Sequence, residues 1–199
     1  DSEYALPSSN VSSYNEAEAK QILESAGYVD TDGDGYVEQD GQNISLTIAY
    51  YKRLSQEAIA TELQSALKKI GIQSELQLHE GTKYLSNKEY DLGFYSMVTM
   101  PTGDPAYYLN ALLSEGGTVN YSGYDNHAIQ VLLKQLNDSY DTKQRKEIVK
   151  QIEEMLLASY SITYIGFNNL IFATRKELKN FVPHVTDYYQ ITVDLELQS

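Results

Sequence analysis

The densest set of oxygen ligands in the chain is Asp30-Thr31-Asp32-Gly33-Asp34-Gly35-Tyr36-Val37-Glu38. Carboxylates at positions one, three and five, glycine at six and a backbone carbonyl at seven match the start of a calcium loop. Glu38 falls at position nine. Position twelve, however, is Gly41 and not the bidentate glutamate such a loop needs. The same run also reads as a surface turn, since its Asp-Gly pairs supply positive φ angles. A structural calcium held by Asp30, Asp32, Asp34 and Glu38 and a plain turn both remain open.

A second group lies around Tyr95, Met97, Thr99, Met100 and Tyr107, beside Gly103-Asp104-Pro105. In open α/β folds ligands sit outside the carboxyl ends of strands. A strand over 91–97 would deliver these side chains to such an edge. Asp104 also suits a helix cap, with Pro105 at the first helical position. A third group is Asn120, Tyr121, Tyr124 and His127, where tyrosine offers broad amphipathic contact with little rotamer entropy to lose. The chain has 18 tyrosines, too many for all to line one site. His127 could ligate nickel or a nickel chelate, but His79, His127 and His184 stand apart in sequence, and a solvated helix position serves as well. No Gly-x-Ser-x-Gly elbow, phosphate-binding glycine loop or His-Glu-x-x-His helix is present. A hydrolase using paired carboxylates is the enzymatic alternative, yet nothing selects one pair from 28 acids.

Composition narrows the classes further. The 199 residues carry a net charge of −13 with no basic stripe, which argues against nucleic acid as a partner. With no cysteine, disulfides, thiolate metal sites and cysteine nucleophiles are excluded. The apolar run 162–172 is interrupted by Thr163, Gly166, Asn168 and Asn169, well short of the roughly 20 residues that span a bilayer. The chain starts at Asp1 without an initiator methionine, so we expect a piece of something longer.

The elements that must position these groups follow from periodicity. Residues 1–13 read as a connector. Asn15 and Glu18 form a capping box for a helix that Gly27 ends. A strand over 44–51, a helix over 55–70 closed by Gly71 and a strand over 72–78 make a βαβ unit, and hence a parallel pair. A short helix over 82–88 and the strand over 91–97 come next. Three helices are then expected, the last capped by Asp141 with Gln144. Strands over 161–167, 170–174 and 188–195 complete an α/β fold with a mixed β-sheet flanked by helices.

The ordered segments resemble the family-5 extracellular solute-binding proteins. The likeness runs through 14–20, Ala26-Gly27-Tyr28, Asp32-Gly33-Asp34-Gly35 and Leu67-Lys68-Lys69-Ile70-Gly71-Ile72. It continues at Tyr90-Asp91-Leu92, Gly103-Asp104-Pro105, Asn120-Tyr121, Gly123-Tyr124 and Asp141 with Arg145. It implies the C-terminal lobe of a two-lobed, type II, cluster C periplasmic-binding-protein fold, over 14–199. It further implies capture, without catalysis, of nickel, a nickel chelate or an oligopeptide for an ABC permease, with no required cofactor. The implied partners are the ligand, the permease and the missing N-terminal lobe. A lipoprotein or periplasmic setting outside the cytoplasm is implied, touching membrane only through an anchor outside this chain. Ile162-Thr163-Tyr164-Ile165, Phe172-Ala173-Thr174 and Glu177-Leu178 resemble the nickel-binding branch. Peptide-binding relatives place an acid just before Gly-Asp-Pro, where this chain has Val98-Thr99-Met100-Pro101-Thr102. A peptide-signal receptor lobe of the same fold is the third alternative.

Overall fold

The computed structural model describes residues 3–6, 13–53, 55–169, 171–184 and 190–198. Its contacts form two compact units, Val11–Met97 and Asp1–Asn10 with Val98–Ser199.

In the Val11–Met97 unit, Asn15 caps α1 (Glu16–Ser25) by accepting from Glu18 N, and its Nδ2 donates to Glu18 Oε2 at 3.0 Å. Gly27, at φ 88°, ends the helix as Tyr28 N reaches back to Leu23 O at 2.9 Å. The capping box and the glycine stop are both as the sequence predicts. α1 nevertheless buries none of its residues, and Ile22 is 62% exposed. A short hairpin follows, β1 (Glu38–Gln39) and β2 (Gln42–Asn43), turning through Asp40 and Gly41 at positive φ.

The predicted βαβ unit is present. β3 (Ser45–Tyr51) and β4 (Gln73–His79) pair in parallel across α2 (Gln56–Lys69), with Ser45 opposite Gln73 and Tyr51 opposite His79. Side chains alternate between the faces of β3. Ile48 and Tyr50 pack with Ala60, Ile59, Leu63 and Leu67 of α2, while Ala49 and Tyr51 turn to the other face. Gly71 ends α2 at φ 83°, and an added Cβ would sit 3.0 Å from Val37 Cγ1. A side chain there would be strained twice over, by conformation and by contact.

After α3 (Lys83–Asn87), β5 (Leu92–Gly93) pairs in parallel with β3, giving the strand order β4-β3-β5. The strand expected over 91–97 thus shrinks to two residues. Phe94 N still reaches Ala49 O, but the next inward amide, Tyr51 N, is taken by Gln56 Oε1 at 3.2 Å. Gln56 Nε2 in turn donates to Ser96 Oγ, so a side chain replaces the ladder.

The other unit is built on α4 (Ala106–Leu113), α5 (His127–Asp138) and α6 (Thr142–Ser159). Leu109 and Leu113 of α4, Ile129, Leu133 and Leu136 of α5, and Ile148, Val149, Ile152 and Leu156 of α6 form its core. The spacing is that of helices buried along one stripe. Asp141 caps α6 through Gln144 N as expected, but the Gln144 side chain accepts from Ser139 Oγ and leaves the capping box half made. Strands over 161–167 and 170–174 do not form among the described residues, and Leu170 lies outside them. Ile165, Phe167 and Ile171 are exposed with no neighbouring strand, and β-forming residues need such a partner. Tyr188 and Tyr189 of the last expected strand are also outside the described residues. Its described residues 190–195 form no strand, and the ladder lies just beyond them, joining β6 (Leu178–Lys179) to β7 (Glu196–Leu197), antiparallel. Parallel and antiparallel pairing therefore occur together, in separate sheets of an α/β chain whose parallel sheet carries helices. No described helix is long and apolar enough to cross a membrane.

Asp104 and Arg145 tie this unit together. The guanidinium donates to both carboxylate oxygens, at 2.9 and 2.6 Å, and also to Leu136 O and Ser139 O. Asp104 accepts as well from Ala106 N and from Tyr4 Oη. Burial works to raise the Asp104 carboxyl, but the Arg145 and Ala106 hydrogen bonds outweigh it and hold the group below its ordinary 3.8. A depressed acid contributes stability above its unfolded value and loses it as pH falls through its folded value. Arg145→Leu should therefore cost about 3 kcal/mol at pH 7 and flatten the loss of stability below pH 4, both read from urea unfolding midpoints.

Candidate functional site

The expected ligand residues divide between the two units. Tyr95 and Met97 belong to the Val11–Met97 unit, in the run that leaves β5. Thr99, Met100, Tyr107, Asn120, Tyr121, Tyr124 and His127 belong to the other. Thr99 and Met100 are half-buried ahead of α4, while Tyr107 is 63% exposed on that helix.

The loop between α4 and α5 is held from behind by its own polar groups. Asn120 Nδ2 donates to Tyr124 O at 2.8 Å, and Asn120 Oδ1 accepts from Tyr124 N at 3.0 Å. Gly117 packs so tightly that an added Cβ would lie 2.5 Å from Ala111 O. Val119 N bonds to that same carbonyl. Tyr124 Oη accepts from Asn126 Nδ2, while Asn126 Oδ1 caps α5. Asn120 and Tyr124 thus brace the loop, and half-buried Tyr121 and exposed His127 are set by it. A rigid loop offering aromatic faces can bind by contact and hydrogen bonding.

The acidic turn is compact. Single carboxylate oxygens of Asp30, Asp32, Asp34 and Glu38 lie within 4.8 Å of one another, and only Glu38 is buried. Each is already engaged by the turn itself. Asp30 accepts from Gly33 N and Gly35 N, Asp32 from Asp34 N, and Asp34 from Tyr36 N and Asn43 Nδ2. Glu38 Oε2 accepts from Thr31 N and Thr31 Oγ1. These bonds account for the conformation by the turn chemistry of aspartate and glycine.

Sequence reasoning missed a polar cluster at the carboxyl ends of the parallel strands. Tyr51 and His79 stand in register on one face, and the His79 ring stacks on Tyr84 at 4.4 Å. Tyr84 Oη donates to Phe94 O at 2.7 Å, and burial pushes its hydroxyl far up. Tyr51 Oη and His79 Nε2 are buried without a hydrogen-bond partner among the described residues. Strand alternation could have placed Tyr51 and His79 together, but only side-chain packing shows the orphaned atoms. The acid with the strongest upward shift, Glu153 on α6, was also passed over. Burial alone raises it to about 7, and no second carboxylate contributes.

Comparison with known proteins identifies the family. The family model for bacterial extracellular solute-binding proteins, family 5 Middle, matches residues 1–120. The chain belongs to the family-5 extracellular solute-binding proteins. It is 31% identical to the nickel-binding protein NikA of Staphylococcus aureus over 150 residues, 74% of this chain and 30% of that protein. It is 30% identical to the oligopeptide-binding protein AppA of Bacillus subtilis over 188 residues, 89% of this chain and 34% of that one. Among solved structures, a nickel ABC transporter protein from Bacillus halodurans superposes with a TM-score of 0.70 at 28% identity, covering 93% of this chain and 40% of its own. The chain spans about a third of the length of these curated relatives.

Removing the orphaned hydroxyl tests the polar cluster. Tyr51→Phe takes away a buried group that has no partner, so stability should hold or rise by up to about 1 kcal/mol. A fall of the urea midpoint would show that the hydroxyl is satisfied in solution.

Proposed function

We propose that this chain is the C-terminal lobe, over 14–199, of a substrate-binding protein that captures a solute for an ABC permease outside the cytoplasm. The observation that carries this reading is the braced tyrosine loop over 114–126, which offers aromatic faces for contact with a solute. Two further features support it. Large apolar side chains stay exposed through the C-terminal stretch, among them Phe167 at 84%, Ile171 at 91% and Val193 at 100%. Such a run is what a lobe that meets a partner lobe would leave uncovered. The similarity to relatives about three times as long points the same way.

The proposed solute is nickel or a nickel chelate, with Thr99, Met100, Tyr107, Asn120, Tyr121, Tyr124 and His127 of the helical unit contributing to its wall. The run 98–102 contains no carboxylate to meet a peptide's amino group. An oligopeptide is the second reading, favoured by the match to AppA over 89% of the chain. Nickel would be cargo on either a histidine or a chelate, and no resident cofactor takes part. Closure over the solute would be a ligand-biased shift between open and closed forms.

Calorimetric titration separates these readings. The 199-residue chain, given nickel(II) with and without free histidine, and separately a nonapeptide, should show no binding tighter than about millimolar. The longer parent protein should bind one of them at least a hundredfold more tightly. Tight binding by this chain alone would overturn the shared wall, and peptide binding by the parent without nickel binding would overturn the choice of solute.

A further inference from the structure

We propose that Tyr4 staples the chain just before the Val11–Met97 unit to the chain just after it, and is thereby a positioning residue for the run 98–103. The chain leaves the helical unit after Asn10 and rejoins it at Val98. Tyr4 lies before that excursion and Asp104 after it. Tyr4 Oη nevertheless donates to Asp104 Oδ2 at 3.2 Å, across 100 residues of sequence. The run that the staple borders carries Thr99 and Met100, so the link to a solute wall rests on the function proposed above.

The anchor has two parts of unequal weight. Lys146 Nζ pairs with Glu3 Oε2 at 2.6 Å, but both side chains are exposed, and surface pairs of this kind contribute little. Tyr4 differs from its neighbours. Glu3 and Ala5 are exposed, whereas Tyr4 is only 8% exposed, so its ring is buried within the helical unit. Burial and the Asp104 charge both raise its hydroxyl above the ordinary 10.0, which keeps it a donor at neutral pH.

Asp104 is a fixed seat for that donor. Arg145 engages both of its oxygens, and Ala106 N donates to Oδ1 at 2.8 Å, where α4 begins. Just upstream, Gly103 N reaches Met100 O at 3.1 Å and closes the turn that carries the chain into the helix. Without the Tyr4 hydroxyl, Oδ2 is left to Arg145 among the described residues, and the end of 98–103 is held from the side of α5 and α6 alone. A hydrogen bond to a charged group outweighs one between neutral groups. At 3.2 Å this one is long, which sets its expected effect at the lower end of that class.

Amide hydrogen exchange read by nuclear magnetic resonance in the full 199-residue chain tests the staple, with Ile152 at the centre of α6 as internal reference. Tyr4→Phe keeps the ring and removes the donor. It should speed exchange at Gly103 and Ala106 about tenfold relative to Ile152, whereas Glu3→Gln should leave both as they are. In the native chain, nitration of Tyr4 by tetranitromethane should lag well behind that of Tyr140, which is 93% exposed. Exchange at Gly103 and Ala106 unmoved by Tyr4→Phe, or Tyr4 nitrated as fast as Tyr140, would overturn the proposal. If Tyr4→Phe does not fold, the nitration rates decide. In the longer parent, Tyr4→Phe should weaken binding of nickel(II) with histidine, or of a nonapeptide, severalfold, and an unchanged affinity would overturn the positioning role. A native parent that binds neither would refute the proposed function instead, and the exchange result would still decide the staple.

Discussion

The helical unit hangs on the carboxylate of Asp104. Five groups converge on it or on its partner: the amide that starts α4, the Tyr4 hydroxyl, the Arg145 guanidinium, and the carbonyls of Leu136 and Ser139 that Arg145 gathers. A planar guanidinium suits this task because its fork meets a carboxylate bidentately while its remaining hydrogens satisfy helix-end carbonyls. The consequence is positional. The start of α4 and the α5–α6 junction are fixed by one ion pair, and the tyrosine loop is strung between α4 and α5. A lysine could supply the charge but not the geometry.

The Val11–Met97 unit rests on a different constraint, a central parallel strand whose two faces are unlike. One face of β3 meets the aliphatic stripe of α2. The other meets tyrosines and a histidine, and there two polar atoms lack partners among the described residues. Unsatisfied buried polar atoms weaken a fold unless something meets them. Here they sit at the strand ends, where open α/β folds place ligands. A third such atom, Ser74 Oγ, lies at the opposite end of β4.

Much of this was legible in the sequence because local chemistry decided it. Asn15 with Glu18, Gly27, Gly71 and the alternation over Ile72–Leu78 each act through neighbours a few residues away. The family likeness rested on their order, and the family model bears it out. What failed was what depends on a distant partner. Residues 91–97 look like a strand, but Gln56 from another element takes the amide that would have extended the ladder. Residues 161–167 have β-forming side chains and, among the described residues, no neighbour to pair with. Glu153 carries no local signal at all, since its shift comes from burial by groups far away in sequence. For the candidate wall, the loop and its tyrosines could be named in advance, whereas Asn120 as brace and Tyr51 with His79 as an orphaned pair needed coordinates.

The central claim is that this chain supplies one wall of a site that captures a solute unchanged. Native mass spectrometry of the longer parent protein, purified without added ligand, tests it most directly. A single non-covalent adduct carrying the isotope pattern of nickel, released intact on unfolding, is the predicted result. A parent that carries no small molecule and instead converts an added substrate to product would contradict the account.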